Sequence, residues 1–384
     1  MNTQVSVEPR TVSMSTAQLQ MLLRAAGTQG SLSPVRDLPA ASPASDDSTT
    51  LREAGILDEA GAPMASWMPA AAALAAPALQ VVVTAGGPAG LSRLQAFASD
   101  ETNGRLVSFV ERGAGEWMVA WPLAEDDIAA IMTAQLALDS ATNDPDVQLE
   151  LTPEGFLMLG AVLDALREEE LESLLARDRT PAPLLKAAAV RVAMGAGLTS
   201  EDYRWLVPIF RRLLPNVPEM NQGAIDKGLA DLVSASIIEA GPDREYGLVA
   251  AFEPVRRLLL APLAWSTLTT ISEVNSQVTW NQLGGMRTFV GLWGVEARAN
   301  GVRLGTLGEA VLLQAFRSLV TDALAAIPAG KQGEQASRRA TASANMAGST
   351  AGSEVNAARR FCQQCGRPVG TADRFCGECG AGLA

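Results

Sequence analysis

Arg105-Leu-Val-Ser-Phe-Val-Glu-Arg-Gly-Ala-Gly-Glu-Trp-Met-Val-Ala-Trp121 is the stretch whose reading decides the fold. Strand-like residues run over 105–110 and again over 116–121. Between them Gly113 and Gly115, in Arg112-Gly-Ala-Gly, supply the backbone freedom a tight reversal needs. In the second strand Trp117, Val119 and Trp121 fall on one face, because side chains alternate along a strand. Upstream, an Ala-rich helix over 64–76 stops at Pro77 and leads into a strand at 79–84. Downstream, Glu125, Asp126 and Asp127 occupy a helix's first turn, where its dipole favours acids. The apolar stripe of that helix includes Ile128, Ile131 and Leu138.

Working outward, residues 1–13 read as a loose end. Ser15 or Thr16 caps a short helix carrying Leu19, Leu22 and Leu23 and stopping at Gly27. Residues 28–50 read as a long loop, and a second helical stretch runs from Leu51 through Leu57. The second half opens with Thr152-Pro153-Glu154, a cap followed by proline at the first helical position, and helical patterning continues to Arg177. Further helices are predicted over 183–194, 200–214 and 222–238, with Thr199 and Asp202 at capping-box spacing. Strands follow at 266–274, 287–293 and 295–300. A last helix covers 307–327, with Thr306 as cap and Glu309 completing a capping box. The glycine-rich segments 86–90 and 301–305 lack phosphate-cradling spacing and read as turns. Glu168-Glu-Glu-Leu-Glu172 reads as a solvated helix face, and Trp117, Trp121, Trp265 and Trp293 as core.

The two halves look alike. Gly55-Ile-Leu-Asp-Glu-Ala-Gly61 is similar to Ser236-Ile-Ile-Glu-Ala-Gly241, and Ala75-Ala-Pro77 to Leu260-Ala-Pro262. Val107-Ser-Phe-Val110 is similar to Arg287-Thr-Phe-Val290. The expected fold is α+β, with two pseudo-symmetric subdomains of antiparallel sheet plus helices over 1–145 and 146–328. Residues 329–360 are Ala, Ser, Gly, Gln and Thr with almost no large apolar side chain, the composition of a tether.

Composition narrows the function. Of 384 residues, 48% are hydrophobic and 19% charged, enough to bury a core. Net charge is −12; seven basic and four acidic residues from 331 onward leave the tail at +3 and residues 1–330 at −15. That acidity disfavours nucleic-acid binding by the body, because phosphate contacts need clustered Lys and Arg, and leaves weak contact to the tail. Histidine is absent, which excludes Ser-His-Asp and Cys-His machinery and imidazole general bases. No carboxylate constellation stands out, so the expected class is not an enzyme. No signal peptide is evident, and the apolar stretch 64–83 is broken by Pro69 and Pro77, which argues against a membrane span. A reducing cytoplasm is the expected setting.

All four cysteines lie near the end, in Phe361-Cys-Gln-Gln-Cys-Gly366 and Phe375-Cys-Gly-Glu-Cys-Gly380. Cys362, Cys365, Cys376 and Cys379 have the spacing of a closed tetrahedral structural Zn²⁺ site, one per chain. Residues 361–383 resemble the bacterial zinc-ribbon family with paired Phe-Cys-x-x-Cys-Gly knuckles. That resemblance implies an accessory module contacting protein or nucleic acid. Arg359, Arg360, Arg367 and Arg374 either meet such a partner or keep a small domain soluble.

Residues 200–249 read helix, turn, helix and then a hairpin tip at 241–247, a winged-helix-like order. The second helix sets Lys227 against Asp226 and Asp231 and is a poor phosphate binder. The opening Ser15-Thr-Ala-Gln-Leu-Gln-Met-Leu-Leu23, the segment 51–76 and the two-halved layout resemble the chaperone family of ESX (type VII) secretion. That family binds secreted protein pairs in the cytoplasm, and a terminal zinc ribbon is outside its usual pattern. The reading is a non-enzymatic cytoplasmic adaptor or chaperone-like protein with a protein partner. The alternative is a transcription-associated winged-helix regulator carrying the ribbon as an extra contact.

Overall fold

The computed structural model describes residues 9–27, 30–34, 38, 47–87, 90–113, 115–136, 146–177, 184–274, 277–298, 301–327, 360–361 and 368–369. Met1–Pro328 forms one compact unit and Ala329–Ala384 a second.

The first half of the larger unit runs β1 (Arg10–Ser15), α1 (Thr16–Ala26), α2 (Asp47–Glu53), α3 (Met68–Ala75), β2 (Leu79–Gly87), β3 (Gly90–Ala98), β4 (Leu106–Gly113), β5 (Glu116–Leu123) and α4 (Glu125–Leu136). The second half begins β6 (Gln148–Leu151), α5 (Pro153–Ala176), β7 (Leu185–Lys186), α6 (Ala187–Thr199), α7 (Leu206–Leu213) and α8 (Gln222–Ser234). It continues β8 (Ile238–Ala240), β9 (Glu245–Leu248), α9 (Glu253–Leu259), β10 (Pro262–Val274), β11 (Gln277–Thr288), β12 (Leu292–Arg298), β13 (Gly301–Thr306) and α10 (Glu309–Ala325).

Ten strands make one antiparallel sheet in the order β1-β5-β4-β3-β2-β10-β11-β12-β13-β6. The hairpin at 105–121 is its β4–β5 pair, with Gly115 at φ 81° in the turn. One face is covered by α4 and α10, whose Ile128, Met132, Leu312 and Phe316 pack on Leu79, Val81, Val83 and Leu268. On the other face α1 and α3 cover Phe97, Val107 and Val119. Further along that face, α5 and α7 share a core with Trp265, Met286, Trp293 and Val295. Trp265 and Trp293 are fully buried, while Trp117 and Trp121 are partly buried against the first of these cores.

Local signals account for many boundaries. Ser15 accepts from the Gln18 N–H while the Gln18 side chain accepts from the Ser15 N–H, a complete capping box for α1. The Thr152 hydroxyl accepts from the Gly155 N–H to start α5, and the Asn221 side chain accepts from the Ala224 N–H to start α8. Other boundaries depart from expectation. Residues 10–15 are no loose end but pair with β5 as an edge strand. The segment 301–305 is strand β13 rather than a turn, since it pairs β12 on one side and β6 on the other. Its Gly305 sits where a Cβ would come within 3.0 Å of the Val147 carbonyl, so the glycine serves strand packing. Segment 287–293 straddles the β11–β12 turn. Phe289 is 74% exposed there, whereas Phe109 is 4% exposed inside β4, so these two residues do not correspond.

Two expected capping boxes are absent. Thr199 is the last residue of α6, and its hydroxyl donates back to the Ala196 carbonyl at 3.2 Å. Thr306 ends β13, and its hydroxyl accepts from the Val147 N–H; Gly308 is the N-cap of α10. In the smaller unit β14 (Arg360–Phe361) pairs with β15 (Pro368–Val369).

Candidate partner-binding face

At the centre of the sheet the face opposite α4 and α10 carries a grid of side chains in register. One row runs Gln95, Val82, Thr269 and Gln282 across β3, β2, β10 and β11. On one side lies Arg93, Thr84, Thr267 and Gly284, and on the other Phe97, Gln80, Ile271 and Trp280. Alternation puts all three rows on one face because each is two residues from the next along every strand. Phe97 and Thr267 are buried, but Val82, Thr84, Gln80, Gln95, Thr269, Ile271 and Gln282 keep partial access to solvent. Val278 and Trp280, on the same face of β11, are 56% and 44% exposed.

The helices on either side set the limits of this strip. At its β11 margin the Gln282 amide donates to the Leu213 carbonyl of α7 at 2.9 Å, while Thr269 donates to the Gln282 side-chain oxygen at 3.2 Å. A Cβ on Gly284 would lie 2.7 Å from Leu213, so glycine is what lets α7 settle there. Around Val82 and Thr269 these groups are hydroxyls, amides and aliphatic side chains, with Arg93 at one edge and Phe97 and Trp280 along another. They suit the shape and hydrogen-bond matching of a partner surface.

Two carboxylates do line one cavity, of about 310 Å³, between α5, α6 and α7: Asp164 and Glu168, with Ser200 and Trp205. Asp164 is buried and accepts from the Leu206 and Val207 N–H groups at 2.9 Å each. Both of its oxygens thereby cap α7, a structural role. Burial pushes its carboxyl up to about 6, against the opposing pull of those two N–H groups. Beside it Arg167 stacks over Trp205 at 4.9 Å from the ring centroid. Glu201 accepts from Tyr203, Arg212 and Arg211, and the Tyr203 hydroxyl and the Arg212 guanidinium bring its carboxyl down to about 2. The acidic run on α5 is not wholly solvated, because Glu170 pairs with Arg256 at 2.9 Å.

No protein-family model and no curated protein matches the sequence. Among solved structures, the Mycobacterium tuberculosis type VII secretion system chaperone EspG5 in complex with a PE25-PPE41 dimer is similar at 13% identity. The match covers 80% of this chain and 95% of that chain, with a TM-score of 0.43. A likeness of that size assigns no function.

The other expected sites are placed as follows. Cys362, Cys365, Cys376 and Cys379 lie outside the described residues; β14 and β15 pair on either side of Cys362 and Cys365 in sequence. The winged-helix-like order is present as α7, α8 and the β8–β9 hairpin, with β7 as a third strand. The candidate recognition helix α8 buries Ile225, Leu229 and Leu232, and its one cation, Lys227, pairs with Glu154 at 2.9 Å. Among the described residues no helix is long and apolar enough to cross a membrane, and no group of three acids or thiols is placed to hold a metal. The central face is not legible in the sequence, because β3 begins with exposed residues that do not alternate and nothing local assigns the alternation of β10 to a face.

Proposed function

We propose that this chain is a non-enzymatic adaptor with chaperone-like action, holding a partner protein on the central face of its sheet. The observation that carries this reading is the grid around Val82 and Thr269, which no helix among the described residues covers, flanked by exposed Trp280 and Val278 and hemmed by helices on both sides. We take the two halves to be a repeated unit, since four strands are stacked outward from each side of the β2–β10 pair in matching order. The resemblance of 15–23 and 51–76 to the type VII secretion chaperones makes an exported protein the partner class to look for first, in a cytoplasmic setting.

The tail is proposed to hold one structural zinc through Cys362, Cys365, Cys376 and Cys379. Four thiolates in two CxxC pairs are the donor set such a site needs, and the β14–β15 pairing is compatible with a knuckle between them. Bound there, the ion would supply folding energy to a module too small for a core of its own.

The test is affinity purification of the full chain from its source cell, followed by mass spectrometry, alongside Thr269→Arg and Trp280→Asp variants whose melting temperatures match the parent. The expected result is a stoichiometric protein partner lost from both variants. A partner retained by both, or a nucleic acid recovered in its place, overturns the proposal. The regulator reading gains nothing from α8, whose cation is already paired.

A further inference from the structure

The sheet is not continuous between β3 and β4. Along its other side β3 pairs with β2 over its whole length, from Gly90↔Gly87 to Ala98↔Leu79. Towards β4 it makes only the rungs Gln95↔Phe109, Ala96↔Ser108 and Phe97↔Val107. Beyond them β4 stays with β5 as far as Gly113↔Glu116. Residues 90–94 and 110–113 therefore face each other across a fork, each with one strand edge that has no paired strand among the described residues.

A cavity of about 380 Å³ opens at this fork on the partner-binding face, lined by Pro34, Arg93, Gln95, Phe109, Glu111 and Trp117. Its floor is firm. Phe109 and Trp117 stack with ring centroids 4.5 Å apart and planes 5° from parallel, and the Trp117 indole N–H donates to the Thr16 hydroxyl at 3.0 Å. Its walls are chemically idle: within the described chain no hydrogen bond or ion pair engages the side chains of Arg93, Gln95 or Glu111. Arg93 presents an uncommitted guanidinium, whose planar fork of donors matches a carboxylate.

We propose that this fork takes an extended polypeptide segment of the partner as an added strand, with an acidic side chain at Arg93 and an apolar one on the Phe109–Trp117 floor. The inference deepens the adaptor reading and rests on it. An extended segment is favoured over a helix because the fork offers strand edges, whose N–H and C=O groups only another extended chain can match rung for rung. The two side-chain contacts lie on one face, so the acidic and apolar residues of the ligand are two apart in its sequence. The free edge of β3 spans five residues, 90–94, which sets the length of the paired core.

The probe is a displayed library of random twelve-residue peptides panned against the full chain. Enriched peptides are expected to alternate, with Asp or Glu two residues from a large apolar residue. Their binding should weaken by about tenfold or more in Arg93→Glu, as for loss and reversal of a charge contact. It should be unchanged in Arg317→Glu on α10, and the amides of 90–94 and 110–113 should gain exchange protection. No enrichment, enriched peptides indifferent to Arg93→Glu, protection elsewhere, or helical binding by circular dichroism each overturns the proposal. Self-association of the chain that protects the same amides also overturns it. If the partner caught in cells still binds Arg93→Glu and needs Thr269, the fork proposal fails while the adaptor reading stands.

Discussion

Asp164→Asn isolates the group that starts α7, and its consequence can be worked through with a sign. In the parent the carboxylate lies 6% exposed and receives the Leu206 and Val207 N–H groups, 2.9 Å away. Burial raises its pKa from an ordinary 3.8 to about 6. Between those two values the folded chain keeps a proton that the unfolded chain has lost. Stability from this group is therefore fully present below about 4 and falls as pH rises to about 6. The whole fall amounts to about 3 kcal/mol, taking 1.36 kcal/mol per pH unit of displacement. Asparagine does not titrate, so the variant lacks this component. It also offers one acceptor oxygen to two N–H groups, leaving one unmet at a cost of about 1–3 kcal/mol. Urea unfolding at pH 4.5, 5.5, 6.5 and 7.5, read by tryptophan fluorescence, gives the parent-minus-variant difference at each pH. That subtraction cancels Glu201, whose lowered pKa contributes stability that is lost only as pH falls towards about 2. The difference should shrink from pH 4.5 to about 6 and level off above that. A difference that is flat between pH 4.5 and 6.5, or grows with pH, refutes the reading that burial outweighs the two N–H contacts at Asp164.

Gly197→Ala places a methyl 2.4 Å from the Val207 Cβ at the α6–α7 crossing, and should destabilise by about 1–3 kcal/mol in urea unfolding; no loss would mean the helices are not so closely packed. Protein purified without chelator should hold one zinc per chain, and Cys376→Ser should lose it without shifting the melting temperature of the body; metal-free protein counts against the zinc reading. A truncation after Pro328 should melt cooperatively near the full-length temperature, and a large drop would contradict an independent body. In titrations at physiological salt the same truncation should show no sequence-selective DNA binding, its net charge being close to −15. Submicromolar selective binding would return the winged-helix regulator to first place.

Elements whose causes are local were legible. The cap at Ser15, the Thr152-Pro153 start of α5 and the 105–121 hairpin all depend on residues within a few positions of one another. Strand β3 was invisible because its first residues, Gly90 to Arg93, are exposed and lack alternation; only Ala96, Phe97 and Ala98 at its far end are buried. α7 starts at Leu206 and not at the expected 200 for a related reason. Its cap, Asp164, lies 42 residues upstream on another helix, beyond the reach of any spacing rule.

Glycine marks where the two sources of information divide. Gly115 could be read from sequence as a turn residue, since its positive φ is a property of the hairpin itself. Gly305 and Gly284 could not, because what excludes a side chain there is the Val147 carbonyl just before β6 in one case and Leu213 on α7 in the other. The same holds for the candidate site. From sequence alone came the class: no histidine, an acidic body, four cysteines at zinc spacing, and strands with helices around them. Which face stays open, and that Arg93, Phe109 and Trp117 meet at a gap between two strands, was decided by the ten-strand order. Register joins residues far apart in the chain, and an unpaired edge exists only once its neighbours have been placed.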